Sequence, residues 1–177
     1  MTDLRTRLAR PDDAAATAEI YTAEVLETTV TFDLVPRSVG DQRAWLQQRS
    51  GAHAVIVAVD DDDTIAGFAS LSPYRDRPAY NTTVENSVYV SRDHRGRGVG
   101  RRLLTDLLVI AEDRGFHSVM ARIVGGHDRS IALHAAVGFE MVGTEREVGR
   151  KFGRWLDIVL MQRLFGESAS PRPPMGV

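Results

Sequence analysis

The segment from Thr83 to Leu108 constrains the fold of this chain more than any other stretch. Its first part, Thr83 to Val90, is rich in β-branched and aromatic residues and predicts a strand. A polar turn follows, and the run RGRGVG at 95–100 then opens a helix. The apolar residues of this helix recur at helical spacing, at Val99, Leu103, Leu104, Leu107 and Leu108. A strand, a glycine-rich turn and a helix start in this order are typical of an anion-binding site.

The chemistry of the glycine-rich turn supports that interpretation. Backbone N–H groups in the first turn of a helix have no partner within the helix, and the helix dipole adds partial positive charge. Glycine lacks the Cβ that would hold a ligand away from the backbone, so phosphate binds such turns readily. Four arginines add positive charge, at Arg95, Arg97, Arg101 and Arg102. The alternative is a glycine-rich loop that only caps an ordinary helix.

Two familiar phosphate motifs are excluded by the spacing of the glycines. Glycines at 96, 98 and 100 do not form the G-x-G-x-x-G pattern of dinucleotide-binding folds. The chain also lacks the Gly-Lys-Ser/Thr sequence of a P-loop. The glycine-rich turn therefore belongs to neither of these two classes of phosphate-binding protein.

Composition narrows the possible functions. The absence of cysteine excludes disulfides, a thiolate nucleophile and cysteine-based metal sites. The net charge of −2 does not indicate a nucleic-acid surface, and no apolar run reaches the roughly 20 residues that cross a bilayer. We expect a cytoplasmic protein with neither nucleic-acid nor membrane partners. We further expect one domain over residues 1–166 and a disordered, proline-rich tail over 167–177.

Patterning along the chain predicts a mixed α/β fold with a mostly antiparallel sheet. Strands are predicted at 4–8, 54–59, 65–71, 83–90, 117–124, 139–148 and 154–164. Helices are predicted at 14–27, after Ser38, after Gly98 and at 128–137. The segment Thr28–Val35 fits either a strand or an extended connection. Gly67 is a candidate β-bulge.

A run of four carboxylates, Asp60–Asp63, has two interpretations. A calcium loop would need a glycine and a distal glutamate at fixed positions, and both are missing. We interpret the run as a solvated hairpin turn and expect no metal site.

Two motifs resemble those of the GNAT acyltransferase superfamily. Arg95-x-x-Gly98-x-Gly100 is similar to the family's pyrophosphate motif, Q/R-x-x-G-x-G/A. A second family pattern, N-x-x-S-x-x-x-Y/H-x-x-x-G-F, is matched at Ser130, His134, Gly138 and Phe139. Its Asn position is occupied here by His127, which puts the usual contact of that Asn with the pantetheine arm in question.

Four further stretches resemble the phosphinothricin acetyltransferase branch, which includes methionine sulfone and sulfoximine acetyltransferases. They are VENSVYVS at 84–91, PYRDRPAY at 73–80, SIALH at 130–134 and G-x-x-x-G-x-W-L-D at 149–157. The likeness spans about Leu4 to Phe165. It implies a GNAT-like sheet flanked by helices on both faces, and an acetyl-CoA-dependent N-acetyltransferase. Since the chain has no cysteine to carry a thioester intermediate, we expect direct transfer in a ternary complex.

The resemblance also implies which residues contact acetyl-CoA. These are Val88, Tyr89, Val90, Arg95, Gly96, Arg97, Gly98, Val99, Gly100, Arg101, His127 and Ser130.

Glu85 is the candidate general base. An α-amino group has a pKa of roughly 8 and is mostly protonated at neutral pH, so its attack on a thioester needs a base. Alternation along the strand puts Glu85 on one face with Ser87 and Tyr89, and partial burial would raise the pKa of its carboxyl group. The resemblance implies the same role. A strand-edge glutamate in a salt bridge is the alternative.

Two further catalytic groups follow from the resemblance. A backbone N–H near Tyr89 or Val90, freed by a bulge or a strand splay, is expected to stabilise the oxyanion. His134, where many relatives carry Tyr, is expected to protonate or stabilise the leaving thiolate. The alternative for His134 is a helix histidine with its hydrogen bonds satisfied, packed near the sheet.

The expected substrate side centres on the loop from Tyr74 to Tyr80. Arg75 and Arg77 can bind carboxylate, phosphinate or sulfone oxygens. The full set is Phe32, Tyr74, Arg75, Asp76, Arg77, Tyr80, Glu85, Asn86 and Ser87. The branch further implies a homodimer, in which Lys151 to Trp155 helps to build the interface.

Two other functions stay open at this point. One is acetylation of a different amine: a polyamine, an aminoglycoside or a protein N-terminus. Cationic acceptors favour an acidic pocket, which the arginines at 75 and 77 do not provide. The other is a non-catalytic acyl-CoA-binding sensor module, which would keep the glycine-rich turn but would need no base.

Overall fold

The computed structural model describes residues 4–49 and 51–166. These form one seven-stranded sheet with four α-helices. The strands are β1 (Arg5–Leu8), β2 (Val55–Val59), β3 (Ile65–Pro73), β4 (Thr83–Val90), β5 (Ser118–Val124), β6 (Glu140–Lys151) and β7 (Arg154–Leu164). The helices are α1 (Ala14–Glu27), α2 (Val39–Gln47), α3 (Val99–Asp113) and α4 (Asp128–Ala135). The predicted tail at 167–177 lies outside the described residues.

The sheet order is β1-β2-β3-β4-β5-β7-β6. Every neighbouring pair is antiparallel except β4 and β5, which are parallel and central. The mixed, mostly antiparallel sheet predicted from the sequence is therefore confirmed. A parallel pair needs a crossover between its strands, and here the glycine-rich turn and α3 supply it.

Two apolar layers cover the faces of the sheet. α1 and α2 pack on one face through Tyr21, Val25 and Leu46. α3 packs on the other through the leucines that the helical spacing predicted, and α4 lies beside it. β2 is buried on both faces because its side chains alternate between the two layers, as its continuous apolar run predicted.

Two local predictions, the helix cap after Ser38 and the hairpin turn at 60–63, are confirmed. Ser38 and Asp41 form a capping box at the start of α2. The acidic run at 60–63 forms the β2–β3 turn, where Asp60 Oδ1 accepts hydrogen bonds from the N–H groups of Asp62 and Thr64. Among residues 4–49 and 51–166, no cluster of three or more His, Asp or Glu side chains could hold a metal ion.

Two further local features are decided by the structure. Of the two alternatives for residues 28–35, the structure has a connection without regular secondary structure and no strand. The β3 irregularity leaves Ala66 as the extra residue, because Ala58 pairs with Gly67 while Val59 pairs with Ile65. A Cβ on Gly67 would meet the Tyr89 carbonyl oxygen at 2.6 Å, so close strand approach also requires glycine here.

The β6–β7 turn is shorter than the sequence predicts. Phe152 and Gly153 both have positive φ angles, 49° and 74°, and the strands pair up to Lys151 and Arg154. Two positive φ angles give a tight hairpin turn that matches the twist of the strands, so the ladder continues to the tip. No helix in the described part of the chain is long and apolar enough to cross a membrane.

Candidate active site

The two parallel strands separate beyond Glu85. β4 pairs with β5 only through Thr83, Val84 and Glu85, whereas β4 stays paired with β3 as far as Val90. β5 instead follows β7 to its end. A cavity of about 740 Å³ lies at this opening, between the glycine-rich turn and the start of α4. The strand splay expected from the sequence is therefore present.

The splay leaves the backbone donors of one edge of β4 without a strand partner in β5. Ser91 N–H donates to the Ala66 carbonyl oxygen of β3 at 2.9 Å. Backbone direction alternates along an antiparallel strand, so the Tyr89 N–H also faces β3, and the N–H groups of Val88 and Val90 face the cavity side. Of the two donors expected from the sequence, the geometry favours Val90 over Tyr89.

The glycine-rich turn has the backbone that an anion needs. Gly98 is the N-cap of α3 with a φ of 83°, and Gly96 has a φ of 77°. A Cβ on either would meet nothing within 4 Å, so the turn is open to a ligand. The next glycine serves packing, because a Cβ on Gly100 would lie 3.3 Å from Leu133 of α4.

Arg95 is not a free cation. Its guanidinium forms an ion pair with Glu24 of α1 and donates to the Val90 carbonyl oxygen at 3.4 Å. Glu24 is buried and also accepts a hydrogen bond from Thr28 Oγ1 at 3.0 Å. Since the charge of Arg95 is already balanced, the backbone N–H groups of the turn, with Arg101 and Arg129 at the cavity wall, are the donors left for a phosphate.

Glu85 lies at the mouth of the splay, half-buried on β4. Burial raises the pKa of its carboxyl group above the ordinary value, and the positive charge of Arg122 opposes this shift. Arg122 is paired with Glu145 at 2.8 Å, and the negative charge of Glu145 again raises the pKa of Glu85. The net environment favours a carboxylate that can take up a proton.

Asn86 and His134 connect the opposite face of β4 with α4. Asn86 Nδ2 lies 2.9 Å from His134 Nε2, and His134 Nδ1 lies 2.7 Å from the Ser130 carbonyl oxygen. Burial lowers the pKa of His134. His127, at the N-cap of α4, also has its pKa lowered by burial, so both imidazoles favour the neutral form.

The 28–33 segment forms part of the cavity wall. Thr31 and Phe32 line the cavity, and the Thr31 hydroxyl lies 2.9 Å from the hydroxyl of Tyr21. Tyr89 packs between Tyr21 and Phe68, with ring centroids 5.0 and 5.2 Å apart, and burial raises the pKa of its phenol. Tyr89 thus braces this wall through its ring.

Most of the residues singled out from the sequence meet around one cavity. It is lined by Phe32, Glu85, Asn86, Ser87, Val88, Tyr89, Val90, Arg95, Gly96, Gly98, Val99, Gly100, Arg101, His127, Ser130 and His134. Arg97 does not line it, and neither does the substrate-side set of Tyr74, Arg75, Asp76, Arg77 and Tyr80. In that loop, Arg75 stacks on Tyr74 and Tyr80 at the surface.

Sequence reasoning missed Glu24, Arg122 and Arg129. Glu24 carried a detectable signal, because it falls on the buried stripe of α1 with Tyr21 and Val25. A charge at such a position needs a partner. Arg122 and Arg129 carried no comparable signal, since their neighbours are set by strand register and by the placement of α4.

This architecture defines the class of protein. A mixed sheet whose central parallel strands open beside a glycine-rich helix start is the fold of GNAT acetyltransferases. The chain belongs to that family, because residues 6–160 match the family model described as an acetyltransferase (GNAT) domain.

Individual relatives agree with that assignment. An L-amino acid N-acyltransferase of Escherichia coli is 37% identical over 93% of this chain and 96% of its own length. An L-methionine sulfoximine/L-methionine sulfone acetyltransferase of Pseudomonas aeruginosa is 39% identical over 81% and 84%. The crystal structure of a phosphinothricin acetyltransferase from Sinorhizobium meliloti, in complex with AcCoA, superposes with a TM-score of 0.90 at 37% identity, covering 98% and 95%.

Proposed function

We propose that this enzyme transfers an acetyl group from acetyl-CoA to the amino group of a small amino-acid-like substrate. The observation that carries the proposal is the half-buried Glu85 at the mouth of the splay, beside the open glycine-rich turn. Phosphinothricin, methionine sulfoximine and methionine sulfone are the proposed acceptor type, because relatives of 39% identity carry those names.

The proposed cosubstrate site fits the residues that surround the cavity. The N–H groups of 96–100 at the start of α3 would hold the pyrophosphate, with Arg101 and Arg129 supplying charge. Arg95 would keep the turn in place through Glu24 rather than bind the phosphates. His127 and Ser130, at the start of α4, would face the remainder of the cosubstrate.

The proposed chemistry uses two groups of β4. Glu85 would accept a proton from the acceptor ammonium, directly or through water, which frees the amine lone pair for attack. The Val90 N–H would donate to the oxygen of the thioester as negative charge develops on it. With no cysteine in the chain, transfer would occur directly between the two substrates.

The arginines of the 74–80 loop support an acceptor that carries acid groups. Arg122 at the cavity is already paired with Glu145 at 2.8 Å. The loop leaves β3 at Pro73, and the preceding Ser72 is paired with Glu85, so the loop is a neighbour of the Glu85 end rather than part of the cavity wall of one chain. In the proposed complex, Arg75 and Arg77 would attract the acid groups of the acceptor from this position.

We further propose a homodimer that forms through the outer end of the β6–β7 hairpin. Val148, Phe152 and Trp155 expose 51%, 54% and 61% of their surfaces there. Exposed aromatic residues clustered on an edge hairpin are typical of an interface. We also propose that residues 1–166 act as one domain in the cytoplasm, with small molecules rather than nucleic acids or membranes as partners.

Release of coenzyme A tests the proposed function. Wild type and Glu85→Gln would be compared with phosphinothricin, methionine sulfoximine, methionine sulfone, spermidine and kanamycin, with Glu112→Gln on the exposed face of α3 as the matched control. The expected result is turnover of the three amino acids, each of which carries a carboxylate, with a drop of about 10²- to 10⁴-fold only in Glu85→Gln. Turnover of the cationic amines alone would contradict the acceptor class. Tight acetyl-CoA binding without turnover would favour the sensor module.

A further inference from the structure

The ring of Phe32 lies directly on Gly149 of β6. A Cβ built on Gly149 would come within 2.8 Å of three carbon atoms of that ring. Real Cβ atoms essentially never approach so closely, so any larger residue at 149 would displace the ring. Gly149 has no positive φ angle. The position therefore requires glycine because the absence of a side chain leaves room for the Phe32 ring, and not because the backbone conformation demands it.

A second contact holds Thr31, the residue before Phe32, to β6. Lys151 of β6 is 4% exposed, and its Nζ donates to the Thr31 carbonyl oxygen at 2.8 Å. The Tyr21 hydroxyl contacts the other side of this segment, 2.9 Å from Thr31 Oγ1 and 2.6 Å from Asp33 Oδ2. The backbone around Phe32 is thus fixed, while the residue is 37% exposed and its ring lies against Gly149.

Phe32 faces the cavity on the side where the acceptor is proposed to bind. It lines the cavity with Thr31 and Glu85, whereas Gly149 lies behind the ring and does not line it. A side chain at 149 would move the ring away from β6 and into the cavity. The cavity would then have room only for a shorter acceptor side chain.

We infer that Gly149 is a positioning residue that sets acyl-acceptor selectivity by giving the Phe32 ring its place on β6. This inference rests on the proposed N-acetyltransferase function. It predicts that a side chain at position 149 changes which acceptor side-chain lengths the enzyme accepts. Binding of acetyl-CoA should not change, because the proposed acetyl-CoA site is formed by other elements. One methylene in a pocket is worth about 10- to 200-fold in kcat/KM.

The experiment compares Gly149→Ala with Gly143→Ala. Gly143 lies in the same strand, and a Cβ there would meet nothing within 4 Å. Both variants would first be shown by sedimentation to keep the wild-type oligomeric state. The readout is the ratio of kcat/KM for methionine sulfone to that for S-methylcysteine sulfone, which is one methylene shorter. In Gly149→Ala this ratio is expected to fall about tenfold with the KM for acetyl-CoA unchanged, and in Gly143→Ala it is expected to stay at the wild-type value.

A second pair of variants tests whether Phe32 transmits the effect. In the Phe32→Ala background the added methyl group meets no ring, so Gly149→Ala is expected to leave the ratio unchanged. Urea unfolding of wild type, both single variants and the double variant tests the steric coupling without measuring turnover. Gly149→Ala is expected to lower the urea midpoint only when Phe32 is present. An unchanged or increased ratio in Gly149→Ala, or a fall that persists with Phe32→Ala, would overturn the inference.

Failure of the proposed function would look different. If wild type acetylates neither sulfone, nor phosphinothricin, nor methionine sulfoximine, the proposed function fails and the inferred selectivity fails with it. The urea series then still reports whether Gly149 positions Phe32. If wild type is active and Gly149→Ala behaves like Gly143→Ala, only the inference about Gly149 fails.

Discussion

Asn86 of β4 donates its Nδ2–H to Nε2 of His134 on α4, across 2.9 Å. The direction of this bond follows from the other nitrogen, because a carbonyl oxygen can only accept and Nδ1 therefore carries the proton that points at Ser130. Neutral His134 consequently has no proton on Nε2. The arrangement leaves Asn86 Oδ1 buried without a hydrogen-bond partner among the described residues.

Replacing His134 by glutamine separates a positioning role from proton donation. A glutamine oxygen can still accept from Asn86, so we expect kcat to stay within about tenfold of wild type, with a loss of about 1 kcal/mol in the free energy of unfolding from the Ser130 bond. The measurements are coenzyme A release and urea unfolding, with the exposed His117→Gln as control. A loss of about 10²-fold or more in kcat at unchanged stability would instead assign the thiolate proton to His134.

The pair Arg122–Glu145 should tune the acid limb of the pH profile. Loss of activity on acidification follows protonation of Glu85, whose pKa is raised by burial and by Glu145 and lowered by Arg122. Arg122→Gln removes a positive charge, so the pKa of Glu85 rises further and the limb moves to higher pH. Glu145→Gln removes a negative charge, so that pKa falls and the limb moves to lower pH. The profile of kcat/KM against pH measures both, and shifts of the same sign would refute the assignment of Glu85 as the base.

Gly98→Ala should weaken acetyl-CoA binding. An alanine at a φ of 83° costs about 1–2 kcal/mol, and its relaxation would turn the N–H groups at the start of α3 away from the ligand. Gly115→Ala is the matched control, since Gly115 has a φ of 79° with nothing within 4 Å of a Cβ. We expect both variants to lose similar stability, and only Gly98→Ala to lose affinity in calorimetric titration. Equal affinities would show that the turn does not hold the cosubstrate.

Trp155→Glu should dissociate the proposed dimer. The side chain is 61% exposed in a single chain, and a charge in an apolar interface would remain unpaired. Sedimentation velocity at micromolar concentration is expected to give a dimer for wild type and a monomer for the variant. Val109→Glu serves as control, because Val109 is an apolar residue of similar exposure, 53%, that lies on α3 and not on the hairpin. A wild-type monomer would rule out the interface.

Features that depend on neighbours close in sequence were determined by the sequence itself. The helical spacing of the leucines in α3, the capping box of Ser38 and Asp41, and the strand leading into the glycine-rich turn each require contacts only within a few residues. The motifs at 95–100 and 130–139 were sufficient to indicate the family. The ends of the strands at the β6–β7 turn could not be predicted, because no sequence pattern indicates that a phenylalanine will adopt a positive φ angle.

Only the tertiary structure decided how these elements form a site. Strand register determined that the Val90 N–H faces the cavity and the Tyr89 N–H does not. Packing joined Arg95 to Glu24 across 71 positions and placed the Phe32 ring on Gly149. Packing also left the loop at 74–80 outside the cavity wall, although the sequence analysis had expected its arginines to contact the substrate. The physical reason is that ion pairs and ring contacts depend on distances in space, which pattern along the chain does not encode.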